Sequence, residues 1–345
     1  METIAIGNTG ITKASRIALG TWAIGGWMWG GTDEQEAIRA IHVALDSGIN
    51  LIDTAPVYGF GRSEEIVGKA LAQDGRRDRA LIATKVGLDW RETSVFRNAS
   101  AARIRKEIED SLRRLRTDRI DLYQVHWPDP LVPVEQTAGA LGALLEQGKI
   151  RAIGVSNFSV DQMIAFQRIA PIHAVQPPYN LFERAIEHDV LPYAQRAGIT
   201  VLAYGALCRG LLSGKIDEST RFEGDDLRKT DPKFQPPRLG HYLGAVRALD
   251  RFAQLRYGKS VLALAVRWIL DQGGTIALWG ARKPEQLDPV NDAMGWSLDA
   301  AAMRQIDAIL AWHVTDPVGP EFMAPPMRSP SPTLPIEAEQ WPAIV

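Results

Sequence analysis

A single cysteine, Cys208, stands in a chain of 345 residues. That excludes an internal disulfide framework and a thiolate metal cluster, and one thiol in so long a chain fits a reducing cytosol. No apolar run approaches the ~20 residues needed to cross a bilayer. Residues 1–10 lack the basic and apolar regions of a secretory leader, so a cytoplasmic location is expected. Charge of one sign is also scarce. The 39 Lys and Arg against 41 Asp and Glu leave a net charge of −2, without a basic block to follow a phosphate backbone. Nucleic acid is therefore not an expected partner, and neither is a membrane.

What the chain does have is repetition. Short apolar runs at Arg16–Leu19, Ile49–Ile52, Ala80–Thr84, Leu122–Val125, Ile150–Gly154, Ala174–Gln176, Thr200–Ala203 and Thr275–Leu278 read as strands buried on both faces. Amphipathic helical stretches lie between them, including Asp33–Ser47, Ala101–Leu115, Val134–Gln147 and Glu187–Ala197. Gly48, Gly148 and Gly198 each follow a helix, where a left-handed cap favours a residue without Cβ. About eight βα units in one α/β chain predict a closed (β/α)₈ TIM barrel, read as a single domain over residues 1–345. The doubly wound alternative needs G-x-G-x-x-G opening a helix after its first strand, and Gly20-Thr21-Trp22-Ala23-Ile24-Gly25-Gly26 does not supply it.

Two segments stand outside the repeat. Residues 1–15, with Ile4–Ile6, a Gly7-Asn8-Thr9-Gly10 turn and Ile11–Lys13, predict an N-terminal hairpin that plugs the bottom of the barrel. Residues 313–345 are rich in proline, with Phe322, Met323, Met327 and Trp341 as apolar anchors, and predict a C-terminal tail over the active-site side. The polar, proline-rich stretch Glu218–Arg238 reads as a loop able to close over a ligand.

Such a barrel carries its chemistry at the C-terminal ends of its strands. Asp53, Lys85, His126, Ser156-Asn157, Gln176 and Tyr204 all fall there, on six consecutive strands, with Tyr58 five residues beyond Asp53. A Lys85 ammonium beside Tyr58 is expected to lower the phenol from its ordinary pKa of ~10. Asp53 would keep that lysine charged, and His126 would join Tyr58 in polarising a carbonyl. The set suits proton transfer coupled to hydride delivery. It has no Ser or Cys nucleophile with a base, and His126 with Asp129 lacks a third metal ligand, so no metal is expected. Ten tryptophans are many. Trp268 reads as core, whereas Trp22, Trp27, Trp29 and Trp127 flank glycine-rich or polar loops and read as pocket walls, with Trp22, Trp27 and Trp127 the candidates for substrate contact.

Gly48–Gly59 (GINLIDTAPVYG), Ala83-Thr84-Lys85 and Asp121–His126 (DLYQVH) resemble the signature segments of the aldo-keto reductase family, a likeness running from Leu19 to about Gln286. The resemblance implies NADP(H)-dependent oxidoreductase activity on CH–OH groups, with Tyr58 as general acid, Lys85 and Asp53 tuning it and His126 orienting the carbonyl. It also implies an extended cofactor on the rim. Gly20, Thr21 and Trp22 would border it, and Ser156, Asn157 and Gln176 would hold the nicotinamide carboxamide. Tyr204 would stack on the ring, and Gly205, Leu207, Arg209, Leu211, Gly214 and Lys215 would wrap the pyrophosphate. Gly205-Ala206 replaces the usual Ser-Pro after the stacking aromatic. Gly280, Arg282 and Gln286 would take the adenosine 2′-phosphate, with Asn291 near the adenine, and the forked guanidinium of Arg282 favours NADP. The Arg221–Arg238 loop and the Asp316–Met323 segment are similar to a bacterial branch of glycerol dehydrogenase and glyceraldehyde reductase type, implying small polar carbonyls or polyols as substrates.

Two other functions compete. A regulatory, cofactor-sensing homologue would have an intact site without turnover, but nothing here resembles an inactivating N-terminal extension. A Schiff-base aldolase could use Lys85. The Asp53 and Tyr58 partners and the Arg282 segment favour nicotinamide chemistry.

Overall fold

The computed structural model describes residues 1–328. Strands β1 (Thr3–Ile4) and β2 (Ala14–Ser15) pair antiparallel. Next come β3 (Ile17–Gly20), β4 (Leu51–Asp53) and β5 (Leu81–Val86), then a second antiparallel pair, β6 (Leu88–Arg91) and β7 (Ser94–Arg97). The series ends with β8 (Leu122–Val125), β9 (Ile153–Ser156), β10 (Ala174–Gln176), β11 (Thr200–Ala203) and β12 (Thr275–Gly280). β3, β4, β5, β8, β9, β10, β11 and β12 close in chain order into a parallel barrel, with β12 returning to β3 at Gly280 opposite Gly20. This is the eightfold (β/α)₈ barrel that the repeat implies.

The helices are α1 (Trp22–Gly25), α2 (Glu34–Asp46), α3 (Arg62–Leu71), α4 (Ala101–Leu115), α5 (Val134–Glu146), α6 (Val160–Gln167), α7 (Val190–Ala197), α8 (Arg238–Tyr257), α9 (Val261–Leu270) and α10 (Ala300–His313). Their starts follow capping chemistry. Side chains of Asp33, Ser100, Ser159, Ser260 and Asp299 each accept from a backbone N–H in the first turn, and Ser159 with Gln162 forms a reciprocal capping box. Gly48, Gly148 and Gly198 have φ of 88°, 72° and 66°, the left-handed conformation expected of them. Two readings need correction. Trp22–Gly25, expected as loop, forms one helical turn. The helix expected from Glu187 begins at Val190, because Asp189 (φ −143°) breaks it from a preceding 3₁₀ turn and caps Val190.

Inside the barrel, Ala18, Leu51, Ala83, Leu122, Ala152, Ala174, Leu202, Ile276 and Leu278 form a cluster that also contains Ile6, Ile11 and Ala14. The N-terminal hairpin therefore closes the bottom, with the ladder at residues 3–4 and 14–15 flanking the wider loop that delivers Ile6 and Ile11. The second core surrounds the barrel, where the helices pack on the strands.

After α10 the chain crosses the C-terminal side. Val318 N–H donates to the Tyr242 hydroxyl, Lys233 Nζ to Gly319 O, and Arg97 Nε to Pro325 O. Arg328 pairs with Asp129 at 3.1 Å. The cover expected of the tail is thus in place through residue 328, while Trp341 lies outside the described residues.

Candidate active site

Strand pleat explains how polar side chains meet in an apolar barrel. Leu51, Ala83, Leu122, Ala174 and Leu202 all belong to the inner cluster. A side chain two residues further along points to the same face, so Asp53, Lys85, Gln124, Gln176 and Tyr204 form the next layer up. Gly154 leaves room for that layer, since a Cβ there would lie 2.7 Å from Gln124 Cγ.

Lys85 is its centre. Its Nζ donates to Asp53 Oδ2 at 2.6 Å, Thr54 O at 2.9 Å and the Tyr58 hydroxyl at 3.3 Å. An ammonium has three N–H donors, and all three are used. Asp53 Oδ1 in turn accepts from Gln124 Nε2 at 3.1 Å and Gln176 Nε2 at 2.8 Å. The Lys85 and Asp53 side chains are 0% and 2% exposed, so a ligand in the barrel mouth does not reach them. Tyr58 and His126 each keep a partly exposed face, and their rings meet edge to face with centroids 5.8 Å apart.

The electrostatics correct one expectation. Tyr58 is raised well above the ordinary phenol value, first by burial and then by the Asp53 carboxylate. The Lys85 ammonium 3.3 Å away does not overcome the burial of the phenol and the Asp53 charge behind it. Lys85 itself is lowered by burial, with Asp53 opposing the shift. His126 is held well below the ordinary imidazole value, by burial first and then by the Lys85 charge. At neutral pH the site therefore presents a protonated phenol and a neutral imidazole at its mouth.

The walls are aromatic. Trp22 stacks on Tyr58 at 5.9 Å and meets Trp29 edge on at 5.6 Å. Trp27, Trp90 and Trp127 pack around Ala55, Val57 and Leu88 beside Tyr58, and Phe60 bridges Trp27 and Trp90. The Arg97 guanidinium lies over the Trp127 ring at 5.0 Å. Trp22, Trp27 and Trp127 thus all lie around Tyr58, joined by Trp90 from the β6–β7 hairpin, which the sequence reading missed. Gln124 was missed as well, although a glutamine inside an apolar strand, two residues before His126, was a usable signal.

The groove residues sort unevenly. Thr21 is buried, with its N–H and hydroxyl both on Asp53 O, and Gly20 pairs with Gly280 across the barrel seam. The Tyr204 hydroxyl donates to Asn157 Oδ1 at 3.0 Å, and Asn157 Nδ2 donates to His126 O and Ser156 Oγ. Gln176 Nε2 is turned onto Asp53, which leaves its oxygen as the group available to a ligand. Leu207 is partly exposed, Gly205 and Gly214 have left-handed φ, and Gly214 and Lys215 are exposed. Two side chains of this segment turn inward. Leu211 is fully buried in the core, and Arg209 gives its guanidinium to Glu183 and Asp231, so neither side chain faces a pyrophosphate.

Arg282 NH1 donates to the carbonyls of Trp29 (2.8 Å) and Gly31. Gln286 Oε1 accepts from the N–H groups of Arg282 and Lys283, while Asn291 is exposed in a 3₁₀ turn. The long loop clasps the same region, with Asp225 accepting from Met28 N and Gly30 N and Leu227 N–H donating to Met28 O. Among the described residues no group of three His, Cys, Asp or Glu could hold a metal, and no helix is long and apolar enough to cross a membrane. A depression of about 300 Å³ beside Ile4, Ala5, Gly198 and Gly274 lies at the opposite end of the barrel and has no titratable side chain in its lining.

A parallel eight-stranded barrel with a buried lysine–carboxylate pair behind a tyrosine and a histidine at its mouth defines an oxidoreductase of the barrel type. The sequence matches the Aldo/keto reductase family over residues 16–311, and the chain belongs to that family, whose members act on carbonyl and CH–OH groups. It is 62% identical over 329 residues to the aldo-keto reductase YhdN of Bacillus subtilis (strain 168), covering 95% of this chain and 99% of that one. It is 37% identical to the NADH-specific methylglyoxal reductase of Escherichia coli (strain K12), over 89% of this chain and 98% of the relative. Among solved structures, the glycerol dehydrogenase AKR11B4 from Gluconobacter oxydans is 58% identical with a TM-score of 0.85, covering 93% of this chain and 99% of that chain. An aldo/keto reductase from Klebsiella pneumoniae in complex with NADP and acetate is 27% identical with a TM-score of 0.69, over 90% and 95% of the two chains.

Proposed function

We propose that the chain is an NADP(H)-dependent reductase of small polar aldehydes and ketones that also runs in reverse on polyols such as glycerol. The observation that carries this reading is the Lys85 ammonium, saturated by Asp53, Thr54 O and the Tyr58 hydroxyl. In that position it orients the phenol and stabilises charge left on it when the proton departs. Tyr58 is the general acid in reduction, giving its proton to the carbonyl oxygen, and the base in oxidation. Neutral His126 donates a second hydrogen bond to the same oxygen. Asp53, held by Gln124 and Gln176, keeps the lysine charged.

The residues present fit a nicotinamide dinucleotide. Tyr204 offers a ring face at the rim, and Ser156, Asn157 and Gln176 offer amide and hydroxyl groups beside it. Among the described residues Arg282 uses one guanidinium nitrogen, and the buried indole N–H of Trp29, whose carbonyl it holds, lacks a protein partner. The unused guanidinium nitrogens retain donors for an anionic ligand. The bound reduced nicotinamide supplies the hydride. The aromatic walls exclude water and give the hydrogen-bearing faces of a small hydroxylated substrate an apolar surface. A glycerol dehydrogenase at 58% identity and a methylglyoxal reductase at 37% support a small polar substrate.

A Schiff base at Lys85 fits poorly, because a 0% exposed amine would have to leave all three partners to reach a carbonyl carbon. The test is a cofactor-depletion assay of NADPH against NADH over a panel of small aldehydes and polyols, with Tyr58→Phe as control. Turnover of some panel members with NADPH, lost in Tyr58→Phe, is expected. Wild-type turnover in Tyr58→Phe would overturn the mechanism.

A further inference from the structure

Four charged side chains that the proposed chemistry does not use meet beneath the rim. Arg209 NH2 donates to Glu183 Oε1 at 2.6 Å and Arg209 Nε to Asp231 Oδ2. Lys233 Nζ pairs with the same Glu183 Oε1 at 2.8 Å. Side-chain exposures are 4% for Arg209, 2% for Glu183 and 0% for Asp231 and Lys233. Two cations and two carboxylates cancel, which offsets part of the cost of burying them. Although burial opposes it, Arg209 and Lys233 hold the Glu183 carboxyl below its ordinary value.

The members come from separate parts of the molecule. Glu183 follows β10, Arg209 follows β11, and Asp231 and Lys233 belong to the long loop before α8. Lys233 Nζ reaches Gly319 O of the tail, and the Phe322 ring lies 5.7 Å from the Arg209 guanidinium. Glu183 Oε2 accepts from Asn180 Nδ2, which also donates to Gly205 O, the residue after Tyr204. Tyr179 N–H donates to Tyr204 O.

The backbone shows what this clamp opposes. Cys208 and Arg209 have φ of 46° and 56°, two successive non-glycine residues in the left-handed region. Each costs about 1–2 kcal/mol relative to an ordinary conformation. Such a turn persists only where its surroundings over-determine it. The forked guanidinium supplies that constraint, with two carboxylates on two of its nitrogens.

We infer that Arg209 is a positioning residue for the nicotinamide: through Glu183 and Asp231 it locks the Tyr204–Gly210 turn against the long loop and tail, fixing the plane of the Tyr204 ring. The inference rests on the reading of Tyr204 as the nicotinamide-stacking residue. It accounts for an arginine in the pyrophosphate-wrapping segment that points inward.

The experiment compares R209M, R209K and K233M with wild type by thermal melting, NADPH affinity from protein-fluorescence quenching, and kcat at saturating NADPH. In R209M, NADPH is expected to bind on the order of tenfold more weakly, the loss that about 1.4 kcal/mol produces. Its kcat at saturation should fall less than its affinity. R209K keeps the charge without the fork and should lie between R209M and wild type. K233M removes a charge from the same cluster without touching the turn, so it should melt lower but bind NADPH within about twofold of wild type. A folded R209M with wild-type affinity would overturn the inference, as would equal weakening in K233M. Should R209M not fold, wild-type affinity in R209K overturns it. Failure of the wild type to bind NADPH or NADH would remove the reading of the site itself, a different result from an insensitive R209M.

Discussion

The Lys85 ammonium lies 3.3 Å from the Tyr58 hydroxyl, and Asp53 holds the same ammonium at 2.6 Å from the other side. The phenol therefore sits against a paired, not a free, positive charge. Tyr58→Phe removes the transferable proton and should lower kcat by about 10²–10⁴-fold, the usual worth of a positioned acid. NADPH affinity should change little, because the residue faces the substrate side. Since burial and Asp53 raise the phenol pKa, the acid is already protonated at neutral pH. The rate of carbonyl reduction should then show no deprotonation limb for Tyr58 below pH ~10. Steady-state rates of both proteins across the alkaline range check this, and a limb near neutrality that vanishes in Tyr58→Phe would contradict it.

His126 predicts a stability effect of opposite placement. Its folded pKa is depressed below 6.5 by burial and by Lys85. As pH falls, the unfolded chain takes up this proton before the folded one, so the contribution is fully present above the ordinary imidazole value and is lost as pH falls below it. The limiting slope for one proton is about 1.4 kcal/mol per pH unit. His126→Gln should flatten the loss of stability between about pH 7 and 5, where histidine titrates. Denaturant melts of both proteins over that window decide it, and parallel curves would show that the imidazole is not desolvated as the structure implies.

Gly25 carries Tyr58 by direct backbone contact. A Cβ at residue 25 would stand 2.5 Å from both the carbonyl carbon and oxygen of Tyr58. Backbone atoms cannot yield as a flexible side chain does, so Gly25→Ala must move the Tyr58 segment or α1. A displacement of the order of 1 Å at a reacting group can cost about 10²-fold in rate. We expect Gly25→Ala to fold, with kcat lowered by that order. Crystal coordinates with Tyr58 unmoved and full activity would refute the coupling.

Much of this arrangement was legible, and the exceptions have physical causes. β8, β10 and β11 coincide with their apolar runs because polar residues or turns delimit them. The run expected at Ile150–Gly154 becomes Ile153–Ser156, since its register is set by the pairing of Ile153 with Tyr123 and not by composition. The β6–β7 hairpin escaped because its turn has Glu92 in the left-handed conformation (φ 54°) where a glycine would have announced it. The meeting of Asp53, Lys85 and His126 was readable from strand ends, with Tyr58 carried in by the turn that follows Asp53. The inward turn of Arg209 was not, because its partners Asp231 and Glu183 are 22 and 26 residues away in sequence. The direction of the Tyr58 shift was also hidden, since it depends first on the burial of the phenol and then on the Asp53 charge behind the lysine.

Arg282 separates cofactor preference from loop architecture. Its NH1 holds the carbonyls of Trp29 and Gly31, and its remaining guanidinium nitrogens have no protein partner among the described residues. If those nitrogens take the 2′-phosphate, Arg282→Ala loses one or two charge-assisted hydrogen bonds that only NADPH can make. At about 1.5–3 kcal/mol each, that raises KM for NADPH by roughly tenfold or more. Loss of the Trp29 and Gly31 contacts loosens the loop for either cofactor, so a smaller rise is expected for NADH too. The ratio of the two KM values is therefore the informative quantity, measured with one saturating aldehyde on wild type and variant. An unchanged ratio would mean that Arg282 serves only to hold the Trp29–Gly31 loop.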